Sequence, residues 1–542
     1  MIINLYGIGG MRTRVEAWHT LVHACQRWRS LVLESRRRLN LQLYCTPKTP
    51  ARDKLDVWPA LPLLVFGNAF SSGTDNIIAA LGQTNRVRQV NLYIDADWQL
   101  ERVLAAMQGP FPELTHLHLE LYSNQVSVIP DSFLGGSAPR LRSFELDGIP
   151  FPGFPKLLSS ATQLVRLSLV NHPHSGYISP KAMIALLSVL SSLKSLILHF
   201  RSPQSRPDRE SPSLLPLKRS ILPALTNLDF KGVTEYLEEL VIGIDTPQLD
   251  FLGITFFNQI DFDIPRLAQF INCTPRALDE AYVQFGDDFA HVRLSASSQT
   301  PKFRFTIAIS CREPDWQLSF IEQVCNSSLD PLSMVEDFYI EDRCWKAGRK
   351  KNNVIENTLW LQLLLPFTAA KNLYLSKEFS PSIVAALQEL VEGRITEVLP
   401  GLQNIFVERI KPSGPFQENI GRFVAARRLS GHPIAISDWD DSGSERTGSF
   451  VTERSDSDDE EDAENDMVVP FAHWHTPAGP SNPTTLSATT QPGGKSDPDR
   501  ATEGTTALGS SIGGSVDSGG GAAGALPEQG PRPPRTRRWS RW

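Results

Sequence analysis

The chain is 542 residues long and 41 % apolar, with a formal net charge of −7. The apolar share suffices for a large packed core, and so modest a charge excludes a whole-molecule electrostatic grip on nucleic acid. Its six cysteines (Cys25, Cys45, Cys273, Cys311, Cys325 and Cys344) form no Cys-x-x-Cys pair, which supports neither a disulfide framework nor a zinc site and points to a reducing compartment.

At the start of the chain, Met1–Arg14 lacks the basic, apolar and small-residue order of a secretory signal. Gly7-Ile8-Gly9-Gly10 follows Ile2–Tyr6 as if a strand entered a phosphate-cradling turn. Position 12 is Arg12 instead of the third glycine, however, and no strand–helix–strand unit of the needed size follows. Next, Trp18, Leu21, Cys25, Trp28 and Val32 recur at spacings of three and four, which predicts a helix with one apolar stripe. Cys25 sits on that stripe as a small hydrophobe. Arg27, Arg29, Arg36, Arg37 and Arg38 lie off it or just beyond it.

The middle of the chain carries a repeat. Val87–Leu92, Leu114–Leu119, Leu141–Leu146, Leu164–Leu169, Leu193–Leu198, Leu225–Phe230 and Leu249–Ile254 each follow Leu-x-x-Leu-x-Leu or a close variant. Their starts are separated by 27, 27, 23, 29, 32 and 24 residues, steps that bracket the ~20–29-residue period of leucine-rich repeats. Weaker copies begin at Val335, Ala370 and Leu402, whereas Phe256–Ile321 breaks the period around an alternating strand, Phe303–Ile309. Several intervening segments read as helices: Ser179-Pro180 caps and opens Lys181–Leu193, Ser380-Pro381 opens Ser382–Glu392, and Trp98–Gln108 stops at Gly109-Pro110. Strand followed by helix at this period is the unit of a solenoid, each unit burying its leucines against its neighbours.

Within the motif the leucines point inward and the residues between them form an outward ladder. That ladder includes Gln89, Asn91 and Tyr93, then His116, His118 and Glu120, then Ser143, Glu145 and Asp147. It continues through Arg166 and Ser168, Ile197 and His199, and Asn227, Asp229 and Lys231. Tyr93, His116, His118, Glu120, Glu145, Arg166, His199 and Asp229 are the expected substrate-binding residues, since mixed polar and aromatic rows suit protein recognition.

No enzyme constellation emerges, and neither a catalytic residue, a metal site nor a cofactor is expected. His116 and His118 share a strand face without a third ligand in the spacing, and His172 and His174 lie in a proline-containing loop. Gly509–Gly513 fits Gly-x-Ser-x-Gly but sits in a Ser/Gly-rich stretch, not in the rigid turn that motif needs. No apolar run approaches the ~18 residues that cross a bilayer, so a cytoplasmic or nuclear protein without a membrane partner is expected. From about Asp438 onward hydrophobic periodicity disappears, which predicts a disordered tail; it carries an acidic run, Ser455–Asp462, and a basic end, Arg532–Trp542.

Two stretches carry a family resemblance. Trp18–Val32 resembles the last helix of an F-box, and Cys45–Pro62 looks like the linker that follows it in many fungal F-box/leucine-rich-repeat proteins. Asp315–Ser319 and Leu429–Ile434 also look like segments of these proteins, so the likeness spans about Trp18–Trp439. The family opens with a Leu-Pro-x-Glu-Ile/Leu signature about two helices earlier. Only Met1–Ala17 precedes the helix here and Ile2–Gly10 bears no such pattern, which makes the F-box N-terminally incomplete. The resemblance implies an irregular leucine-rich-repeat-like α/β solenoid (46–436) preceded by a short helical F-box remnant (1–45) and followed by a disordered tail (437–542). It also implies a substrate-recognition adaptor that joins a Skp-type adaptor and cullin complex and holds an unknown protein substrate, with nucleic acid not expected as a partner. Leu21, Val22, Cys25, Trp28 and Val32 match the family's helix and would pack or border the adaptor interface. The alternative is a leucine-rich-repeat interaction scaffold without ubiquitin-ligase contact.

Overall fold

A computed structural model describes residues 25–27, 30, 40–48, 50–58, 60–69, 73–123, 127–152, 154–203, 219–257, 264–273, 278–296, 304–327, 329–342, 357–390, 394–408 and 415–439. The chain divides into two units, Met1–Phe450 and Val451–Trp542, and all described residues lie in the first. The acidic run, the basic end and both glycine motifs lie outside the described residues.

The first unit is built on strand–helix repeats. In chain order it runs β1 (Leu41–Cys45), α1 (Ala51–Val57), β2 (Leu63–Ala69), α2 (Thr74–Leu81), β3 (Val87–Ile94), α3 (Asp97–Ala106), β4 (His116–Leu121), β5 (Ser143–Asp147), α4 (Phe154–Ser159) and β6 (Arg166–His172). There follow α5 (Pro180–Leu187), β7 (Ser195–Phe200), β8 (Ser220–Ile221), β9 (Asn227–Gly232), α6 (Thr234–Gly243), β10 (Ile244–Asp245) and β11 (Phe251–Phe257). The remainder is α7 (Pro265–Asn272), β12 (Glu280–Phe285), β13 (Phe289–Ser295), β14 (Arg304–Ser310), α8 (Pro314–Cys325), β15 (Asp337–Asp342), α9 (Asn357–Leu364), β16 (Asn372–Leu375), α10 (Ser380–Gln388), β17 (Asn404–Glu408), α11 (Pro415–Leu429) and β18 (Ala435–Trp439).

Sixteen of these strands make one sheet, in the order β1-β2-β3-β4-β5-β6-β7-β9-β11-β14-β13-β12-β15-β16-β17-β18. Every pairing in it is parallel except those that β13 makes with β12 and β14. The sheet therefore begins inside the segment expected to be helical (1–45) and ends at Trp439, beyond residue 436. β8 and β10 pair separately.

Leucine placement explains the regular rungs. In β4 and the turn before it, Leu114, Leu117 and Leu119 are all buried while His116 and His118 face away from them. The same holds for Leu164, Leu167 and Leu169, and for Leu193, Leu196 and Leu198. Each such burial is worth ~1.5–3 kcal/mol relative to exposure, so a one-residue slip of any rung would be heavily penalised. The helices close the leucine side: α5 buries Met183, Ile184, Leu186 and Leu187, and its N-terminus is capped by Ser179 Oγ, which accepts from the Ala182 amide at 3.3 Å. That helix stops at Leu187 and α10 stops at Gln388, both earlier than the sequence pattern suggests.

The irregular stretch resolves into an inserted three-strand block. After β11 the chain passes through α7 and lays β12 three strand positions away, then turns back through antiparallel β13 to bring β14 against β11. Phe251 consequently pairs with Arg304, and Glu280 pairs with Asp337 on β15. Alternation along Arg304–Ser310 is genuine, with Phe305, Ile307 and Ile309 buried. It cannot reveal strand direction, because parallel and antiparallel strands share a two-residue period.

Near the end of the sheet, Arg427 of α11 is fully buried. Its guanidinium donates to the carbonyls of Ile395 at 3.0 Å, Leu399 at 3.2 Å and Leu402 at 3.4 Å. Leu399 has φ +50°, a left-handed conformation costly for a leucine. Arg427 thus holds a strained turn by its carbonyl oxygens and fixes α11 to the preceding loop. Cys45, Cys311 and Cys325 are buried; burial pushes the Cys45 thiol up to about 12, and those of Cys311 and Cys325 also rise. They are packing groups with poor thiolate character.

Candidate binding surface

Strand register, not sequence distance, assembles the outward face. Position five of the leucine motif forms one row across the sheet: Asn91, His118, Glu145, Ser168, Ile197 and Asp229 are consecutive partners. Two residues further along the strands, Tyr93, Glu120 and Asp147 make a parallel row. Every ladder residue expected from sequence lies on this face, but Ser143 and Ser168 are buried, because short side chains are shadowed by longer neighbours.

His118 is the hub of the first region. Its Nε2 lies 3.6 Å from Glu120 and its Nδ1 lies 3.7 Å from Glu145 on the next rung. Burial alone would push the imidazolium pKa down, but contact with Glu120 and Glu145 overcomes this and raises it to about 9. Glu145 also accepts from Ser143 Oγ at 2.8 Å and pairs with Arg166 Nε at 3.1 Å. Although burial opposes ionisation, its carboxyl is held below the usual range by His118, Ser143 and Arg166. Tyr93 meets His118 edge-on at 5.7 Å. Three rungs from His118, His199 Nε2 pairs with Asp229 Oδ1 at 3.2 Å. The outer edge of His116 reaches solvent, while partial desolvation of its ring and the nearby Arg88 and Arg142 lower its pKa.

A second region on the same face has different chemistry. Tyr282, Tyr339, Tyr374 and Phe406 occupy equivalent register positions on β12, β15, β16 and β17. Their rings stack nearly parallel, with centroids 4.3, 4.1 and 4.6 Å apart along the series. Arg293 of β13 lies over Tyr282 at 4.3 Å, and Trp439 meets Tyr374 edge-on at 5.6 Å. Tyr282 and Tyr339 are each only 7 % exposed, so much of this stack is packed against itself. Beside it, Gln284 donates to the Glu341 carboxylate, and both side chains are buried. Burial raises the Tyr339 pKa, and its phenol neighbours raise it further.

The ladder expected from the sequence stops short of these rings, although their signal is present. The weaker motif copies at Val335, Ala370 and Leu402 place Tyr339, Tyr374 and Phe406 at the same fifth position. Tyr282 and Arg293 belong to the unphased block and could join the row only through its reversed strand order.

Other expected sites fare differently. His172 ends β6 instead of lying in a loop; it is buried, packs edge-on to Phe200 and bonds through Nε2 to the Gly176 carbonyl. Cys25, expected on the apolar stripe of the first helix, is exposed. Leu21, Val22, Trp28 and Val32 lie outside the described residues. Among the described residues no group of three or more His, Cys, Asp and Glu is arranged to hold a metal ion, and no helix is long and apolar enough to cross a membrane. On the helix side, an open cleft of about 700 Å³ lies between α7 and α8, lined by Ala268, Gln269, Gln323 and Asn326. The Asn326 amide there already donates to Glu322 and to the Gln362 carbonyl.

No family model matches the chain, and no curated protein matches it. Among solved structures, a leucine-rich repeat-containing protein, LegL7, from Legionella pneumophila is similar at 12 % identity, covering 72 % of this chain and 98 % of that one with a TM-score of 0.26. A likeness that remote carries no inference about what this chain binds.

Proposed function

We propose that the chain is a non-enzymatic interaction scaffold that binds a partner protein through the ladder face of its sheet. One observation carries this reading: consecutive rungs present charged, polar and aromatic side chains in register, on strands whose opposite face is fixed by buried leucines. Such a surface offers rigid positioning and mixed chemistry, the features that distinguish recognition surfaces from merely solvated ones. Photo-crosslinkers placed at Gln89 and Ser195 on the ladder, and at Glu101 on α3 as a control, test it. The expected result is crosslinking to one defined partner from the ladder positions and not from α3. Equal crosslinking from both faces would sink the reading.

The finer reading is a substrate-recognition adaptor of a Skp–cullin–F-box ubiquitin ligase, with the substrate on the ladder. It is supported by the resemblance of Trp18–Val32 to an F-box helix, through Leu21, Val22, Cys25, Trp28 and Val32. A pull-down with a purified Skp-type adaptor decides it. Retention that Trp28→Ala abolishes supports the adaptor role; no retention leaves the scaffold alone.

A further inference from the structure

Charge on the first region of the ladder is sorted along the strand direction. Across the five motifs beginning at Val87, Leu114, Leu141, Leu164 and Leu193, positions two and three hold Arg88, Arg142, Arg166 and Lys194, with His116 and no carboxylate. Positions five and seven of the same motifs hold Glu120, Glu145 and Asp147 and no lysine or arginine, with His118 and His199 as the basic groups among them. One edge of the face is therefore basic and the other acidic.

The backbone makes the basic edge a single line. The amide of each position-two residue donates to the position-two carbonyl of the rung before: Thr115 to Arg88 at 2.8 Å, Arg142 to Thr115 at 2.7 Å, Val165 to Arg142 at 2.8 Å and Lys194 to Val165 at 2.8 Å. Arg88, Arg142 and Lys194 thus recur every second rung. At ~4.8 Å per rung the line is ~19 Å long, the span of about six residues of extended chain. Arg142, Arg166 and Lys194 are exposed, and His116 lies close enough to Arg88 and Arg142 for both to depress its pKa. Arg166 is partly engaged by Glu145, and Arg88 donates to Asn40 Oδ1 at 3.4 Å.

We infer that this edge binds an extended acidic segment of a protein partner, its carboxylates set against Arg88, Arg142 and Lys194 and its course running across β3–β7. The inference rests on the scaffold reading and names the partner's chemistry. Charge complementarity favours an acidic peptide over nucleic acid. The basic strip is only two motif positions wide, and bases attached to a phosphate backbone would lie over Glu120, Glu145 and Asp147. Nor do these rungs offer a stacking platform, since Tyr93 is turned edge-on to His118 and the exposed ring of Tyr122 is tied through its hydroxyl to Glu120, among the carboxylates.

Fluorescence anisotropy on the full chain tests this with three labelled probes: an eight-residue Asp/Glu-rich peptide, a Lys-rich peptide of equal length and an eight-nucleotide single-stranded RNA. The acidic peptide is expected to bind most tightly and to weaken as salt is raised. Reversing two exposed cations together, Arg142→Glu with Lys194→Glu, is expected to weaken it by about tenfold or more. Arg102→Glu with Lys181→Glu, on α3 and α5, provides a charge-matched control and is expected to change nothing. Absence of acidic-peptide binding, indifference to the double reversal, or tighter binding of the RNA overturns the inference. If crosslinking from Gln89 and Ser195 survives any of these results, only the acidic-segment inference falls; if it is lost as well, the scaffold reading falls with it.

Discussion

The rungs from β3 to β9 and those from β12 to β17 place different groups at one structural position. In the earlier set the fifth position carries His118, Glu145 and Asp229, whose partners are ionic and come from neighbouring rungs. In the later set it carries Tyr282, Tyr339, Tyr374 and Phe406, which stack on one another. Rungs ~4.8 Å apart suit both arrangements, because that spacing is close to an aromatic stacking distance and within reach of an ion pair. The difference lies in what remains for a partner. Half-exposed ion pairs can exchange with a ligand's charges, whereas stacked rings satisfy each other and stiffen the sheet.

This contrast can be broken first where the later region is most tightly held. Arg427→Ala removes the donors to four carbonyls, those of Ile395, Leu399, Pro400 and Leu402, and leaves a cavity, and should cost about 3–5 kcal/mol. Hydrogen exchange should then accelerate in β16–β18 and stay unchanged in β3–β7; uniform acceleration would show that the two regions do not unfold separately. Tyr339→Leu keeps an apolar side chain but removes two stacking partners, with an expected loss of about 1–3 kcal/mol by denaturant unfolding. Ile197→Ala, on the same row of the earlier region, should cost less, and an equal loss would deny the stack any special role.

Titration sharpens the other side of the comparison. The folded pKa of His118 is about 9, above the ~6.5 of an unfolded chain. Its contribution to stability is therefore fully present below about pH 6.5 and is lost as pH rises through about 9. Glu145→Gln should bring the His118 pKa down towards 6.5 in an NMR titration; an unmoved value would show that Glu145 contributes little. The smallest effect belongs to Arg166→Ala, since the half-exposed Arg166–Glu145 pair is worth less than about 1 kcal/mol. A larger loss would mean that the ionic ladder is structural, as the aromatic one is.

Much of the fold was legible from leucine spacing. The motifs starting at Val87, Leu114, Leu141, Leu164, Leu193, Leu225 and Leu249 lead into β3, β4, β5, β6, β7, β9 and β11 because three buried apolar side chains per rung, mostly leucines, fix both register and facing. Less was legible where the information is not local. Nothing in Phe289–Ser295 announces that it runs antiparallel, and the contact of His118 with Glu145 depends on a rung 27 residues later. The row of Tyr339, Tyr374 and Phe406 is readable in principle, but its motifs match the leucine pattern weakly, and only the strand pairing brings the three rings into one stack. Ser143 and Ser168 show the converse: alternation places a residue on a face, while the size of its neighbours decides whether solvent reaches it.

The reversed block also bears on how the chain acquires its structure during synthesis. Most rungs from β3 to β9 find their partner after 23–32 residues, so they can assemble in sequence as they emerge. β11, already paired with β9, must wait 53 residues, from Phe251 to Arg304, for its second neighbour, and β12, already paired with β13, must wait 57, from Glu280 to Asp337, for β15. Loop closure over such spans slows pairing, although it adds little to the final free energy. A ribosome carrying a chain that ends near residue 300 would therefore hold a finished N-terminal stack ending in an open strand, β11, whose edge is vulnerable to the wrong partner until β14 arrives.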